Sequence, residues 1–229
     1  MKRILQPELL DSLRADDPRA IRSRRDLRRV NACMGNHARL AGVLLNAQDG
    51  RGPGRVTDLG AGDGSFLLRV ARAISVHRRK VRARLLDLQP IVAPETVREF
   101  AACGWSADAV VADVFDWLPI SGGHEVVIAN LFLHHFPDAR LEQLLALVSE
   151  RAELFIATEP RRAPWPRLCS RLLWVLGCNA VTRHDAAASV RAGFSGDELS
   201  ALWPPGPDWQ LTEQCAGAFS HLFVARKVR

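Results

Sequence analysis

The sequence lacks any long apolar run, although its 229 residues are 48% hydrophobic. No stretch approaches the roughly 20 consecutive apolar residues that a membrane-spanning helix needs. Near the start, Lys2 and Arg3 are followed too soon by Glu8 for the apolar core of a signal peptide. We therefore expect a cytoplasmic protein without a transmembrane segment, for which peripheral contact with a membrane stays open.

Cysteine patterns are also missing. The five cysteines form no C-x-x-C pair, and their number is odd. This spacing argues against both a zinc site and a disulfide framework. We therefore expect no metal to be bound. The cysteines are Cys33, Cys103, Cys169, Cys178 and Cys215.

Basic charge is concentrated at one end of the chain. The net charge is +6, and residues 1–40 hold ten basic and five acidic residues. Aromatic side chains are absent from the densest basic cluster, which weakens its interpretation as an RNA-binding patch. A solvated helix face, and a contact with an anionic substrate or a membrane surface, are the other interpretations. The cluster consists of Arg22, Arg24, Arg25, Arg28 and Arg29.

Predicted strands and helices alternate from residue 55 onward. Alternation of this kind favours an α/β fold with a mostly parallel sheet and helices on both of its faces. The last two strands are close together in sequence, which predicts a C-terminal antiparallel hairpin. We therefore expect a Rossmann-like sheet of seven strands. The predicted strands are 56–59, 83–88, 109–115, 125–131, 154–158, 209–214 and 219–226.

A chain of this length can bury the core of a single domain. Residues 1–50 precede the first strand and predict helices at 7–13 and 26–46, the second of which Gly35 and Gly42 can interrupt. These helices would form an N-terminal helical cap or lid. Residues 51–229 carry the sheet. Within them, the proline-containing stretch 160–194 interrupts the alternation, and we interpret it as an insertion. No repeat or low-complexity linker suggests a second domain.

A glycine turn follows the first strand. Gly60, Gly62 and Gly64 allow positive φ angles and close approach of a ligand to the backbone. Ser65 can cap the next helix, whose N-terminus offers free N–H groups and a partial positive charge. This arrangement predicts a nucleotide-type binding site. A dinucleotide fingerprint would place its third glycine at Ser65, so the spacing disfavours a nicotinamide cofactor.

Polar residues also follow the other parallel strands. In open α/β sheets, ligands bind outside the carboxyl ends of the strands. Asp87 ends the second predicted strand, where a carboxylate can accept hydrogen bonds from ribose hydroxyls. Asp113 lies in the third and could accept from an adenine amino group. Asn130 lies near the end of the fourth.

Together, these residues resemble the motifs of the class I S-adenosylmethionine-dependent methyltransferases of small molecules. The resemblance implies S-adenosylmethionine as the cofactor. It places Gly60 and Gly62 against the methionine part and Asp58 at its amino group. It assigns the ribose to Asp87, and the adenine to Asp113 and Val114. The implied cofactor-binding residues are Asp58, Gly60, Ala61, Gly62, Gly64, Asp87, Leu88, Asp113, Val114, Asn130 and Leu131.

Methyl transfer depends mainly on alignment in a dry pocket, and an oxygen nucleophile benefits from a base. His135 follows the fourth strand and resembles a histidine often found there in this family. We interpret it as the first candidate for the base. His134 is the second candidate, because we expect only one of two adjacent residues to face the pocket. His184, in the insertion, is the third candidate. Glu159, Arg161 and Arg162 are candidates for the substrate side.

The apolar insertion suggests a hydrophobic acceptor. The resemblance then implies methyl transfer to oxygen or carbon of a small aromatic, phenolic or lipid-like acceptor of polyketide or quinone type. The fourth strand ends in Asn-Leu-Phe-Leu and lacks the Asn/Asp-Pro-Pro-aromatic motif of enzymes that methylate planar amino groups, so nucleic acid is disfavoured. An RNA methyltransferase and a non-catalytic binding protein of the same fold are the alternatives. The protein would be a monomer or a homodimer.

Overall fold

The computed structural model describes residues 1–47, 53–74 and 80–228. Seven strands form its centre. They are β1 (Arg55–Leu59), β2 (Val81–Asp87), β3 (Trp105–Val111), β4 (His124–Asn130), β5 (Ala152–Pro160), β6 (Trp209–Ala216) and β7 (Ser220–Lys227).

Helices surround this sheet. They are α1 (Leu9–Ser12), α2 (Pro18–Met34), α3 (Asn36–Ala47), α4 (Ser65–Ile74), α5 (Pro94–Ala102), α6 (Val114–Ile120), α7 (Asp138–Arg151), α8 (Pro164–Arg171), α9 (Ala180–Ala192) and α10 (Glu198–Leu202). A short 3-10 turn covers Leu133–His135. Within the described part of the chain, no helix combines the length and apolar composition that crossing a bilayer requires.

The strands form one sheet in the order β3-β2-β1-β4-β5-β7-β6. Strands β1 to β5 pair in parallel, and β7 runs antiparallel to both β5 and β6. The switch in strand order lies between β1 and β4, so their carboxyl ends open the crevice where such sheets bind ligands. The predicted α/β fold with seven strands and a terminal hairpin is confirmed.

The third strand differs from its prediction at 109–115. It ends at Val111, and α6 begins at Val114. The side chain of Asp113 accepts a hydrogen bond from the backbone N–H of Phe115 at 2.8 Å, which is the geometry of a helix N-cap. Val114 and Leu118 are buried four residues apart. The apolar run that resembled a strand is therefore split between a strand end and a helix.

Both faces of the sheet are covered by apolar side chains. On one face, α3, α4 and α5 contribute Leu40, Leu67 and Phe100 to one buried cluster. On the other, α6 and α7 contribute Leu118 and Leu144 to a second. This division is the double layer expected for a parallel sheet that is buried on both sides.

Two helices replace the single one predicted at 26–46. The first, α2, begins earlier, because Pro18 occupies its first turn and Asp17 caps it. It ends at Gly35, whose φ of 69° is the left-handed conformation that glycine tolerates. The helix predicted at 7–13 is present as the single turn α1.

Candidate functional site

The glycine turn after β1 gives each glycine a different neighbour. All three have positive φ angles, at 68°, 58° and 76° for Gly60, Gly62 and Gly64. A Cβ on Gly60 would lie 2.2 Å from the ring of Phe132, and one on Gly64 would lie 2.9 Å from Leu85. A Cβ on Gly62 would meet nothing among the described residues within 4 Å. Gly60 and Gly64 therefore serve packing, whereas Gly62 leaves open space.

Two carboxylates lie beside this turn. Asp87 accepts hydrogen bonds from the N–H groups of Gly62 at 2.8 Å and of Gln89 at 2.9 Å. A carboxylate has about four acceptor positions, so it keeps capacity for a ligand. Asp58 is 1% exposed, and no described residue hydrogen-bonds its Oδ2 atom. Burial raises the pKa of Asp58 well above its ordinary range, and the negative charge of Asp87 adds to the rise.

The turn opens on a cleft made of two adjoining cavities of about 250 and 340 Å³. Ten of the eleven predicted cofactor-binding residues line them. Gly64 does not, since its place is between the helix and the sheet. The first cavity contains Asp58, Ala61, Gly62 and Asn130; the second contains Leu88, Asp113 and Val114; and Gly60, Asp87 and Leu131 border both. The sequence prediction therefore located residues that converge on one cleft.

Strand β4 ends in a constrained pair, Asn130 and Leu131. The amide oxygen of Asn130 accepts hydrogen bonds from the Thr158 hydroxyl at 2.8 Å and from Asn36 Nδ2 at 3.3 Å. Leu131 has a φ of 54°, which is costly for a side chain of its size. Its N–H bonds the carbonyl of Thr158 at 2.9 Å. The neighbouring strand and α3 thus hold this end of β4 in place.

Two histidines follow on the 3-10 turn. Glu159, at the end of β5, is fully buried, and its Oε1 atom accepts from the N–H groups of Phe132 and Leu133 at 3.0 and 2.9 Å. Its Oε2 atom lies 2.7 Å from His134 Nδ1. Glu159 therefore positions the turn, and it is too enclosed for the substrate contact that its place in the sequence suggested.

His134 sits between two carboxylates. Its Nε2 atom lies 3.3 Å from Glu8, across the ring from Glu159. Burial alone would lower the pKa of His134, but the hydrogen bonds to Glu159 and Glu8 outweigh it and raise this pKa to about 9. Burial alone would raise the pKa of Glu8, but the hydrogen bonds to His134 and His135 lower it. At neutral pH the site therefore holds an imidazolium ion between two carboxylates.

His135 points its second nitrogen into the cleft. Its Nδ1 atom lies 3.0 Å from the carbonyl oxygen of Phe132, which can only accept, so we assign the proton to Nδ1. Its Nε2 atom is the ring nitrogen that faces the carboxylates of Glu8 and Asp11, at 3.5 and 3.8 Å. Both histidines line the first cavity. The expectation that one of them would face the pocket is wrong, because the tight turn places the two rings side by side, 4.3 Å apart.

The N-terminal segment supplies the acidic residues that face these rings. Asp185 of α9 accepts hydrogen bonds from the N–H groups of Leu9 and Leu10 at 2.8 and 3.0 Å and thereby holds α1. Glu8 and Asp11 are brought over the histidines in this way. The sequence analysis did not identify either residue as part of the site. Their spacing of three residues, which puts them on one side of a helical turn, was the available signal.

Two other predicted residues lie elsewhere. His184 is half exposed, bonds its neighbour Asp185 at 3.0 Å, and is not among the described residues that line the cleft. Arg162 is buried and pairs with Glu198. The geometry therefore leaves His135 as the candidate base and gives Arg162 a packing role.

Glu8, His134 and His135 also form a set that could hold a metal ion, because their ligating atoms lie within 4.8 Å of one another. Metal binding requires neutral imidazole. The two carboxylates around His134 instead favour a proton on each of its nitrogens. That no metal is bound stays a prediction.

No protein-family model matches this chain, and no curated protein matches its sequence. Many solved structures share its fold. The plantazolicin methyltransferase BpumL in complex with SAH has a TM-score of 0.61 at 11% identity, covering 93% of this chain and 92% of its own.

Two further structures show the same likeness. The magnesium protoporphyrin IX methyltransferase ChlM from Synechocystis PCC 6803, with bound SAH, has a TM-score of 0.54 at 16% identity, covering 87% of this chain and 84% of its own. The mitomycin 7-O-methyltransferase MmcR has a TM-score of 0.59 at 21% identity, covering 96% of this chain and 60% of its own. The chain therefore has the Rossmann-like fold of the class I methyltransferases.

Proposed function

We propose that this protein transfers a methyl group from S-adenosylmethionine to oxygen or carbon of a small hydrophobic or aromatic acceptor. The observation that carries the proposal is the buried carboxylate of Asp58. Its Oδ2 atom has no hydrogen-bond partner among the described residues, and it borders the cleft at the glycine turn. A buried carboxylate oxygen without a hydrogen-bond partner is costly, so this site is suited to a ligand that brings a positive charge.

S-Adenosylmethionine fits this set of residues. It carries an ammonium group, which suits Asp58, and ribose hydroxyls, which suit the remaining acceptor positions of Asp87. Gly62 leaves room where the backbone must approach a ligand. Asp113 and Val114 border the second cavity, where the adenine would lie. When bound, the cofactor supplies a methyl group on a positively charged sulfur, and a neutral thioether is left after transfer.

The residues of the chain then prepare the acceptor. His135 Nε2 faces the cleft and can take a proton from an acceptor hydroxyl. The carboxylates of Glu8 and Asp11, at 3.5 and 3.8 Å from that nitrogen, would stabilise the resulting positive charge. His134 cannot share this role while it remains protonated. It holds Glu8 in place instead.

The apolar side chains that line the cleft favour an acceptor that carries little charge. Leu131, Phe132 and Phe136 border the second cavity, and Leu27 and Phe66 border the first. Such walls exclude water from the reacting groups. The names of the similar structures specify acceptors as different as plantazolicin, mitomycin and magnesium protoporphyrin. They support a small-molecule acceptor and do not select one.

Calorimetric titration tests the cofactor first. Wild type and Asp87→Ala are titrated with S-adenosylmethionine and, separately, with NAD. Binding of S-adenosylmethionine alone, weakened at least tenfold by Asp87→Ala, supports the proposal. Binding of NAD, or of neither ligand, refutes it in favour of an oxidoreductase or a binding protein.

Labelled methyl groups then test the acceptor. Alkylated phenols and hydroxyquinones are offered beside total RNA, each with S-adenosylmethionine labelled in its methyl group. Label in a phenol or quinone supports the proposed class. Label confined to RNA supports the RNA methyltransferase alternative, and binding without transfer to any acceptor supports the non-catalytic one.

A further inference from the structure

One stretch of the surface is unusually apolar. Six large apolar side chains between residues 165 and 176 are about half exposed or more. They are Trp165 (57%), Leu168 (50%), Leu172 (49%), Trp174 (60%), Val175 (64%) and Leu176 (66%). We call these six side chains the exposed face. Large apolar side chains that are exposed so close together in the sequence suggest a binding surface rather than scattered surface hydrophobes.

Positive charge accompanies the exposed face in the sequence. From Pro160 to His184 there are five arginines and neither Asp nor Glu, and all of these arginines except Arg162, which is buried and pairs with Glu198, are at least partly exposed. Arg167 and Arg171 alternate with the apolar positions on α8. Helix α2 carries six arginines, of which Arg19, Arg28 and Arg29 pair with the carboxylates of Asp17, Asp63 and Asp26. Arg22 of that helix donates a hydrogen bond to the carbonyl of Gly177 at 3.2 Å, directly after the exposed face.

We propose that the exposed face docks on the surface of an anionic phospholipid bilayer. Tryptophan and leucine with arginine beside them are the composition that lies in the interfacial region of membranes. The apolar side chains would enter the acyl boundary, and the arginines would remain among the phosphates. The docking is peripheral.

The charge distribution favours a bilayer over two other occupants. In a symmetric dimer through this face, the arginines of the two copies would be brought together, and like charges across an interface cost free energy. RNA would match the charge and could stack on Trp165 or Trp174. It would leave Leu168, Leu172, Val175 and Leu176 without an apolar partner, whereas acyl chains cover all six side chains.

Docking in this orientation would place the cleft near the membrane. Helix α2 connects the two regions, because Arg22 bonds Gly177 while Arg24 and Arg28 border the first cavity. An acceptor dissolved in the bilayer would then have a short path to the cleft. This consequence rests on the proposed function, but vesicle binding itself does not.

Vesicle sedimentation tests the proposal with the 229-residue chain. Vesicles of phosphatidylcholine alone are compared with vesicles that also contain phosphatidylglycerol, at low and high salt. We expect sedimentation with the anionic vesicles, a blue shift of tryptophan emission, and weakening by salt because charge contributes. Absence of sedimentation with anionic vesicles at low salt would overturn the proposal.

Matched variants locate the contact. The double variant Trp174→Ser with Leu176→Ser should lower the vesicle partition coefficient at least tenfold, since each residue loses its buried apolar area. Ile120→Ser is the control, because Ile120 is 84% exposed and lies at the end of α6. Circular dichroism and S-adenosylmethionine titration of each variant check that the fold and the cleft are intact.

The same variants distinguish a bilayer from the two other occupants, a second copy of the chain and RNA. Equal partitioning of the double variant and Ile120→Ser would overturn the proposal. So would a wild-type protein that ignores vesicles but dimerises, or binds RNA, through the same residues. Because vesicle binding is measured without any methyl acceptor, its failure is distinct from failure of the proposed function.

Discussion

His134 Nδ1 lies 2.7 Å from Glu159 Oε2, and both side chains are buried. The same carboxylate accepts the backbone N–H groups of Phe132 and Leu133. One residue at the end of β5 thus sets the path of the turn and the charge of its first histidine. The orientation of His135 follows from that turn, because its Nδ1 bonds the carbonyl of Phe132.

Replacing this carboxylate by an amide should change the titration of His134. Glu159→Gln keeps an oxygen that can accept the backbone N–H groups but removes the negative charge. We expect the pKa of His134 to fall from about 9 toward its ordinary value of 6.5. Side-chain nitrogen NMR as a function of pH measures it. Glu213→Gln, which removes the negative charge beside His221, is the matched control and should leave His134 unchanged. An unchanged pKa in Glu159→Gln would contradict this assignment.

The same histidine predicts how stability varies with pH. Its pKa is higher in the folded protein than in the unfolded chain, so its protonation contributes stability that is complete below about pH 6.5 and is lost as pH rises through about 9. In urea unfolding, we expect the wild type to lose on the order of 1–3 kcal/mol more than His134→Asn over that interval. Parallel pH profiles for the two proteins would show that the ion pair contributes nothing.

A substitution at Gly62 can distinguish an effect on ligand binding from an effect of backbone strain. Gly62→Ala should cost about 1 kcal/mol of stability, the usual penalty of a left-handed alanine. Its methyl group would enter the open space at the turn, and we expect S-adenosylmethionine binding to weaken at least tenfold. Gly104→Ala is the control, because Gly104 also has a positive φ of 79° and open space around its Cβ. Similar calorimetric affinities for the two variants would place the ligand elsewhere.

Asp58 should release a proton when the cofactor binds. Because its pKa is raised in the folded protein, its ionisation costs stability as pH rises above the unfolded value of 3.8. Asp58→Asn should therefore be at least as stable as the wild type at pH 7, with the difference closing toward pH 4. Its affinity for S-adenosylmethionine should fall at least tenfold. Titrations in two buffers of different ionisation enthalpy should show proton release for the wild type and none for the variant; release by both would exclude Asp58 as its source.

His135→Gln should reduce the rate of methyl transfer by a factor of about 10² to 10⁴, the usual contribution of a general base. The affinity for S-adenosylmethionine should stay within a factor of about three, because the ring contributes to proton transfer rather than to cofactor binding. The measurement uses whichever acceptor the labelling experiment identifies. His184→Gln is the control and should retain its rate. Equal losses in both variants would contradict the assignment of His135.

The strand ends were predictable because they depend on local signals. Gly60, Asp87 and Asn130 each follow or end an apolar run, and parallel topology brings such positions to one edge. The boundary of β3 was not predictable in this way. The apolar residues after Asp113 serve equally well in a strand or a helix, and the cap that decides between them is a single hydrogen bond.

The parts of the site that the sequence did not predict depend on contacts between residues far apart in the chain. Glu8 reaches His134 over 126 residues, and Asp185 holds Leu9 over 176. No periodicity encodes such pairs. Glu159 illustrates the opposite error: its place after a strand suggested substrate binding, while full burial assigns it to the support of a turn.

The packing of helix α3 determines how far the chain can be truncated from its N-terminal side. Its Leu40 and Leu44 are completely buried in the same cluster as Val56 and Leu67. Asn36, at the start of α3, accepts a hydrogen bond from the Ser220 hydroxyl and donates one to the side-chain oxygen of Asn130. A protein expressed from residue 51 would expose the apolar surface that these leucines cover and would lack one brace of the cleft. The smallest fragment that keeps the sheet covered should therefore begin at the Gly35 break, and it would lack the carboxylates of Glu8 and Asp11 that face the histidines.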